Sequence, residues 1–162
     1  MSADDGDAAQ LLFVRIEDHR FAFRLEEVAE VLLLVEPVPV PGWPRYGLGL
    51  IDVRGEVMAL VDPRSTLQLD DRKLEVGQKV VVVLAQGRRW GVLVSSVEGV
   101  QASVLAPLSE VAPQPRLVRP DVSDQFAQGA AGPVPVVDAA RLIDVLGLPP
   151  PPEPEAAGSE GA

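Results

Sequence analysis

The chain has 162 residues, 47% of them apolar and 23% charged, with 16 prolines, 14 glycines and a formal net charge of -10. That length suits one compact domain or two small units sharing a core, and the Pro and Gly content predicts many turns and few long helices, so a mostly β protein is expected. The absence of cysteine excludes disulfides, thiolate metal ligands and a cysteine nucleophile, and the negative charge argues against nucleic acid and anionic membrane surfaces, both of which reward clustered Lys and Arg.

The chain opens on Asp4, Asp5 and Asp7, acidic where a secretory leader is basic and then apolar, and residues 1–10 are expected to be a disordered acidic N-terminus. The longest aliphatic runs, such as Val80 to Leu84, fall far short of the ~20 residues that a membrane span needs. A cytoplasmic protein with no direct membrane insertion is therefore expected. Leu12, Val14 and Ile16 alternate with Phe13, Arg15 and Glu17, and after a turn at Asp18-His19 the residues Phe21, Phe23 and Leu25 alternate with Arg20, Ala22 and Arg24, which predicts a half-buried hairpin. Val28 to Val35 continues as strand or short irregular helix. Pro37, Pro39, Pro41 and Pro44 then force an extended connection, since proline fixes φ and removes a donor. Leu48 to Val53 and Glu56 to Asp62 form a second hairpin folded at Arg54-Gly55, where glycine supplies the positive φ of a tight turn.

The second half repeats the plan. Lys79 to Ala85 and Arg89 to Val94 flank a turn at Gln86-Gly87, and Val97 to Leu105 follows as a further strand. A proline-rich connection, Pro107 to Pro120, leads through a segment without a clear pattern to the strand Val134 to Val137. The chain closes on a short helix with Asp138 as N-cap, Leu142, Val145 and Leu146 on one face, and Gly147 before proline as its stop. Residues 149–162, rich in Pro and Glu and poor in apolar side chains, are expected to be a disordered tail. The ends of two strands echo each other: Val61-Asp62-Pro63-Arg64 and Val137-Asp138-Ala139-Ala140-Arg141 both close with Val-Asp and follow with Arg. This weak repeat fits two similar small barrels packed together, each too small to be stable alone.

Little in the chain points to chemistry. The single histidine, His19, reads as a solvated turn residue with no nucleophile motif beside it, and Glu17-Asp18 and Asp70-Asp71 read as solvated turn carboxylates without the burial that separates catalytic pKa values. Gly47-Leu-Gly49 resembles a fragment of a phosphate loop but lacks the third glycine and a following helix, so it reads as the start of a strand. One histidine and scattered acids give no converging metal-ligand set, and no cofactor is expected.

Taken in order, Leu11-Leu-Phe-Val-Arg-Ile to Phe21-Ala-Phe, Val28-Ala-Glu30-Val31, Gly49-Leu-Ile-Asp-Val-Arg54-Gly55 with Val61-Asp62-Pro-Arg64, Val80-Val-Val-Val-Leu and Gly91-Val-Leu-Val-Ser-Ser-Val resemble the CheW family of chemotaxis coupling proteins over roughly residues 11–148. The most specific part is Gly-Leu-Ile-x-Val-Arg-Gly with Asp seven residues after its last glycine and Arg two further on. The resemblance implies two packed, intertwined five-stranded SH3-like β-barrels with a short C-terminal helix. It also implies a non-catalytic scaffold that links chemoreceptor cytoplasmic tips to the regulatory domain of a CheA-type histidine kinase, recruited to receptor arrays at the inner membrane. Family receptor contacts in an apolar groove between the barrels match Val28, Glu30, Val31, Arg54, Val80 and Val100, with an ordinary hairpin charge paired with Glu30 as the alternative for Arg54 and plain core packing as the alternative for the valines. Ala59, Pro63 and Ser95 depart from the family pattern, where proline, leucine and aspartate are common. A diverged member that binds one of these partners, or another kinase, is the alternative. A small-ligand or oligosaccharide-binding barrel is a third reading, one that requires solvent-facing aromatics where the chain has Trp43 and Trp90.

Overall fold

The computed structural model describes residues 8–67, 69, 77–107, 122–129 and 132–148. Among them the strands are β1 (Ala8–Ile16), β2 (His19–Arg24), β3 (Val28–Leu33), β4 (Gly47–Val53), β5 (Glu56–Val61), β6 (Lys79–Ala85), β7 (Arg88–Val94), β8 (Ser96–Pro107), β9 (Gln125–Gly129) and β10 (Gly132–Val137); a 3-10 turn spans Leu25–Glu27 and helix α1 spans Ala139–Leu146. The expected hairpins are present. Arg54 and Gly55 (φ 52° and 88°) and Gln86 and Gly87 (φ 54° and 74°) have the paired positive φ of the turns whose twist matches a right-handed ribbon. The first turn is formed by Glu17 and Asp18 rather than Asp18-His19, with Glu17 left-handed at φ 57° and His19 already in β2. β1 starts at Ala8, inside the stretch expected to be disordered through residue 10, because Ala8, Ala9 and Gln10 pair with Val104, Ser103 and Ala102 of β8. The segment before Val134 is also strand: β9 forms a hairpin with β10, a pattern that Gln125-Phe-Ala-Gln-Gly is too short and too small to announce. The C-terminal tail and Asp70-Asp71 lie outside the described residues.

Strands β1-β2-β10-β9-β8 close into a barrel, and β3-β6-β7-β5-β4 form a second five-stranded sheet. Each half of the chain therefore contributes a hairpin to one sheet and three strands to the other. The two patterns correspond strand by strand. In the barrel β8 runs antiparallel to β1 and β10 runs parallel to β2; in the other sheet β3 runs antiparallel to β6 and β5 runs parallel to β7. Ala22 opposite Phe13 and Val136 corresponds to Gly91 opposite Val82 and Leu60, and the register skips one residue at Ala29 in β3 as it does at Glu98 in β8. The Val-Asp echo belongs to this duplication, since Val61 and Val137 each pair with the parallel neighbour just before Asp62 and Asp138.

Three apolar clusters explain why the strands read as nearly continuous hydrophobic runs. Leu11, Phe13, Ala22, Ala127, Val134 and Val136 fill the barrel; Ile51, Met58, Leu60, Val80 and Val82 fill the concave side of the other sheet; Leu12, Val14, Phe21, Phe23, Val81, Val83, Trp90 and Val92 belong to a core shared between the two. The first hairpin is thus buried on both faces rather than half-buried. Small residues fit the tight interiors: a Cβ on Gly91 would lie 2.9 Å from Val80 Cγ1. The second sheet is drawn together at one end where the chain beyond β3 reaches β4, with Val38 N donating to Leu50 O (2.9 Å) and Leu50 N to Val38 O (2.8 Å).

Helix α1 is capped as expected, the Asp138 side chain accepting from Arg141 N and Gly147 taking the left-handed conformation at φ 64°. Its buried face is Ala139, Leu142, Ile143 and Leu146, so Ile143 and not Val145 completes the stripe at helical spacing. Glu27 accepts a hydrogen bond from Ala139 N at the start of this helix (3.2 Å), and burial raises its pKa above the usual carboxylate value. A raised folded-state pKa means that the folded chain holds this proton more tightly than the unfolded one, so stability falls as pH rises through the window between the two values. Glu27→Gln, which keeps an acceptor without the charge, is expected to melt higher than the parent at neutral pH by up to about 4 °C, with the gap closing below the ordinary carboxylate pKa. Melting curves from about pH 3 to about pH 8 check this; a gap that widens in acid contradicts it.

Candidate functional site

The seam between the two sheets is covered by the shared core in its middle and left open along the edge strands. On β3, Val31 is opposite Val81, a shared-core residue, and Leu32 is opposite Val80, which faces the other way. Val31 and Leu33 therefore lie on the side of their sheet that faces the barrel, yet they are 38% and 64% exposed. On β8, Val100 is opposite Leu12, also in the shared core, and it is 48% exposed; Val104 continues the same face. By the duplication, Val31 and Val100 occupy the same place in the two patterns. Each sheet thus presents an exposed apolar stripe on the side that faces the other sheet. Isolated exposed apolar residues are ordinary, but stripes of them are the kind of surface that docks another protein.

An ion pair stands on the other face of β3, since Glu30 is opposite Val82 and shares the side of Leu32. Arg54, at the tip of the β4–β5 turn, donates through Nη2 to both carboxylate oxygens of Glu30 on β3 (2.5 and 2.6 Å), and this hydrogen bond raises the guanidinium pKa. The Arg54 side chain is 68% exposed, so its charge faces solvent. Of the six residues expected to contact a receptor, Val31 and Val100 lie on the stripes, while Glu30, with Arg54 bonded to it, belongs to the other face of β3. Val28 is half-buried against the shared core. Val80 is fully buried in the concave cluster of the second sheet and touches no surface, which is the core role left open for it. Leu33 and Val104 escape sequence reasoning because alternation on an edge strand looks the same whether or not a second layer covers it.

A second constellation is buried. Arg64, just after β5, donates from Nε to Asp62 Oδ1 (3.0 Å) and from Nη2 to Asp62 Oδ2 (2.7 Å), while its Nη1 reaches Glu17 Oε2 (2.8 Å) in the β1–β2 turn of the barrel. Asp62 also accepts from Arg64 N (3.0 Å). The hydrogen bonds that Arg64 donates to Asp62 and its further pairing with Glu17 push the guanidinium pKa upward, so Arg64 is a permanent cation. The Glu17 backbone N–H donates to Ser95 Oγ (2.8 Å) at the corner where β7 passes into β8. Glu17 is accordingly not a solvated turn carboxylate. His19 is half-buried as well, with an Nδ1 that has no hydrogen-bond partner among the described residues.

The positions that depart from the family pattern are interior. Ala59 is buried between Leu50 and Trp90, Pro63 is buried and its carbonyl accepts from Leu67 N, and Ser95 supplies an acceptor for the Glu17 amide as a carboxylate also can. None of them touches the stripes. Trp90 is buried with its Nε1 bonded to Ala85 O (3.1 Å), and Trp43 packs half-buried on the shared core, so neither provides the solvent-facing platform that an oligosaccharide site requires.

The family model for the CheW-like domain matches residues 10–147. The chain is 27% identical over 139 residues to the chemotaxis protein CheW of Rhizobium meliloti, covering 86% of this chain and 84% of the relative. It is 28% identical over 130 residues to a probable chemotaxis protein CheW of Rhizobium etli, covering 79% of each. In three dimensions it superposes on the scaffolding protein TtCheW of Thermoanaerobacter tengcongensis with a TM-score of 0.71 at 17% identity, over 83% of this chain and 91% of that one.

Proposed function

The chain belongs to the CheW-like domain family of non-catalytic chemotaxis scaffolds, and on that premise we propose that it couples chemoreceptor cytoplasmic tips to the regulatory domain of a CheA-type histidine kinase. The observation that carries this reading is the pair of exposed apolar stripes, one on each sheet, on a chain that also holds the Arg54 charge in solvent. A receptor tip is a helical hairpin, and an amphipathic helix that lays its apolar face on such a surface finds aliphatic anchors. Coupling follows from binding alone: a scaffold that favours one arrangement of receptor and kinase shifts the kinase population by its differential affinity for the two states. Among the described residues no helix is long and apolar enough to cross a membrane. The protein acts in the cytoplasm on this reading and reaches the inner membrane through its receptor partner.

Val31→Asp and Val100→Asp test the surface without disturbing the cores, because both side chains are exposed. Each is expected to weaken binding of a receptor-tip fragment at least tenfold, above ~1.4 kcal/mol, and to leave melting nearly unchanged. Binding of the kinase regulatory domain, which in the family docks at a barrel end, is expected to persist. Normal tip binding by the double variant removes the stripes from the site. A parent protein that binds neither partner in calorimetry refutes the coupling role, and one that binds a single partner reduces it to half.

A further inference from the structure

The buried Glu17–Arg64–Asp62 triad joins the two sheets. Glu17 belongs to the closed barrel, Asp62 and Arg64 follow β5 of the other sheet, and the backbone of Glu17 is tied in turn to Ser95 at the crossing between them. Arg64 is 2% exposed and Asp62 5%. Removing charges from water is expensive, and an ion cluster of this kind is often no more stabilising than apolar residues of the same volume. The duplication supplies an internal comparison. In the other half the places of Glu17, Asp62 and Arg64 are taken by Gln86, Asp138 and Ala140, and the same five-strand pattern forms there without the triad. There Asp138 caps α1 instead. Strand pairing in this fold therefore does not require the cluster.

What the shared core cannot supply is direction. Apolar contacts are non-directional, and two sheets held by Leu, Val and Phe alone can rotate against each other at small cost. A guanidinium held in a fork by one carboxylate and bonded to a second has a defined geometry. Val31 is on one sheet and Val100 on the other, so the angle between the sheets sets their separation. We propose that the Glu17–Arg64–Asp62 triad fixes the angle between the barrel and the second sheet, which makes Arg64 a positioning residue for the two stripes. Its consequence for docking rests on the function proposed above; the angle itself does not.

The absence of cysteine makes the angle measurable, since Arg88→Cys at the exposed start of β7 and Gln101→Cys at an exposed position of β8 place one spin label on each sheet with no background site. Pulsed electron resonance distances are compared between the doubly labelled parent, Arg64→Lys, and a neutral triple variant carrying Glu17→Gln, Asp62→Asn and Arg64→Met. Both variants are expected to give a distance distribution at least twice as broad as the parent's, even where the triple variant melts no lower. A folded triple variant with the parent's narrow distribution overturns the inference and leaves the triad a stabilising contact. If the triple variant does not fold, Arg64→Lys decides: a lysine cannot form the fork, so a narrow distribution there overturns the proposal as well. Tip-fragment affinity measured on the same proteins is expected to fall at least threefold as the distribution broadens. A broad distribution with unchanged affinity retains Arg64 as the determinant of the angle and removes its role in docking.

Discussion

Gly49→Ala is expected to destabilise the protein by about 3 kcal/mol or more, the cost of a strained backbone added to a lost closure. Gly49 has φ 138°, a region that side chains rarely enter, and a Cβ there would press into the Val38 carbonyl, 2.7 Å from its carbon atom. The obstacle is backbone, so no rotamer change relieves it. The strand must move away, and the two hydrogen bonds between Val38 and Leu50 that draw the second sheet together are lost with it. For a domain of this size the melting temperature should fall by roughly 6–12 °C. Gly55→Ala is the matched control: at φ 88° with nothing within 4 Å of the new Cβ, it meets only the left-handed penalty, about 1–2 kcal/mol. Hydrogen exchange should show protection lost from β4 and residues 34–40 while the closed barrel keeps its own. If Gly49→Ala melts within a degree or two of the Gly55 variant, the close approach of β4 to Val38 does not govern stability.

Charge reversal at Arg54 is the second large effect, expected in binding rather than in folding. Arg54 and Glu30 form an exposed pair, and such pairs contribute about 0–1 kcal/mol to stability, so Arg54→Glu should leave circular dichroism and melting nearly unchanged. At the surface the change is larger, because two carboxylates then stand side by side where an exposed cation stood. Receptor-tip binding is expected to weaken more than tenfold, a loss above ~1.4 kcal/mol, with kinase binding less affected. Glu30→Arg should act in the same direction, and the double reversal should recover part of the affinity because the pair reforms with its ends exchanged. Four proteins and two partners in a binding assay complete the cycle. Unfolding by Arg54→Glu would assign the residue to the fold, and normal tip binding would remove it from the surface.

Hairpins are legible because two of their turns carry a glycine that supplies positive φ, Gly55 and Gly87, between runs of β-branched residues. The Val-Asp echo at Asp62 and Asp138 was legible as a repeat, and so was the capped helix. Strand β9 was not, since its ladder partners β8 and β10 are what give Gln125–Gly129 its conformation. At the site, the family resemblance singles out Glu30 and Arg54, and the fold brings the two together in space. The resemblance does not tell Val80 from Val31 in exposure, because neighbouring strand positions of equal hydrophobicity differ only in which layer covers them. Glu17 was misjudged for a related reason: a carboxylate in a turn is solvated unless a distant arginine reaches it, and Arg64 is brought there by strands that the local sequence does not record.

The exchange of strands between halves also orders events at the ribosome. When β5 has emerged, β1 and β2 are still waiting for β8, β9 and β10, and β3, β4 and β5 for β6 and β7. At translation rates of about 5–20 residues per second, the first hairpin stays without its final neighbours for on the order of ten seconds. Throughout that interval Leu11, Phe13 and Phe23 are unburied, and the free edges of a nascent chain are the sites at which chaperones act and aggregation starts. Release of this protein as a native molecule therefore depends on its last strand, and truncation before Val137 should leave the whole chain, rather than one of its sheets, unable to fold.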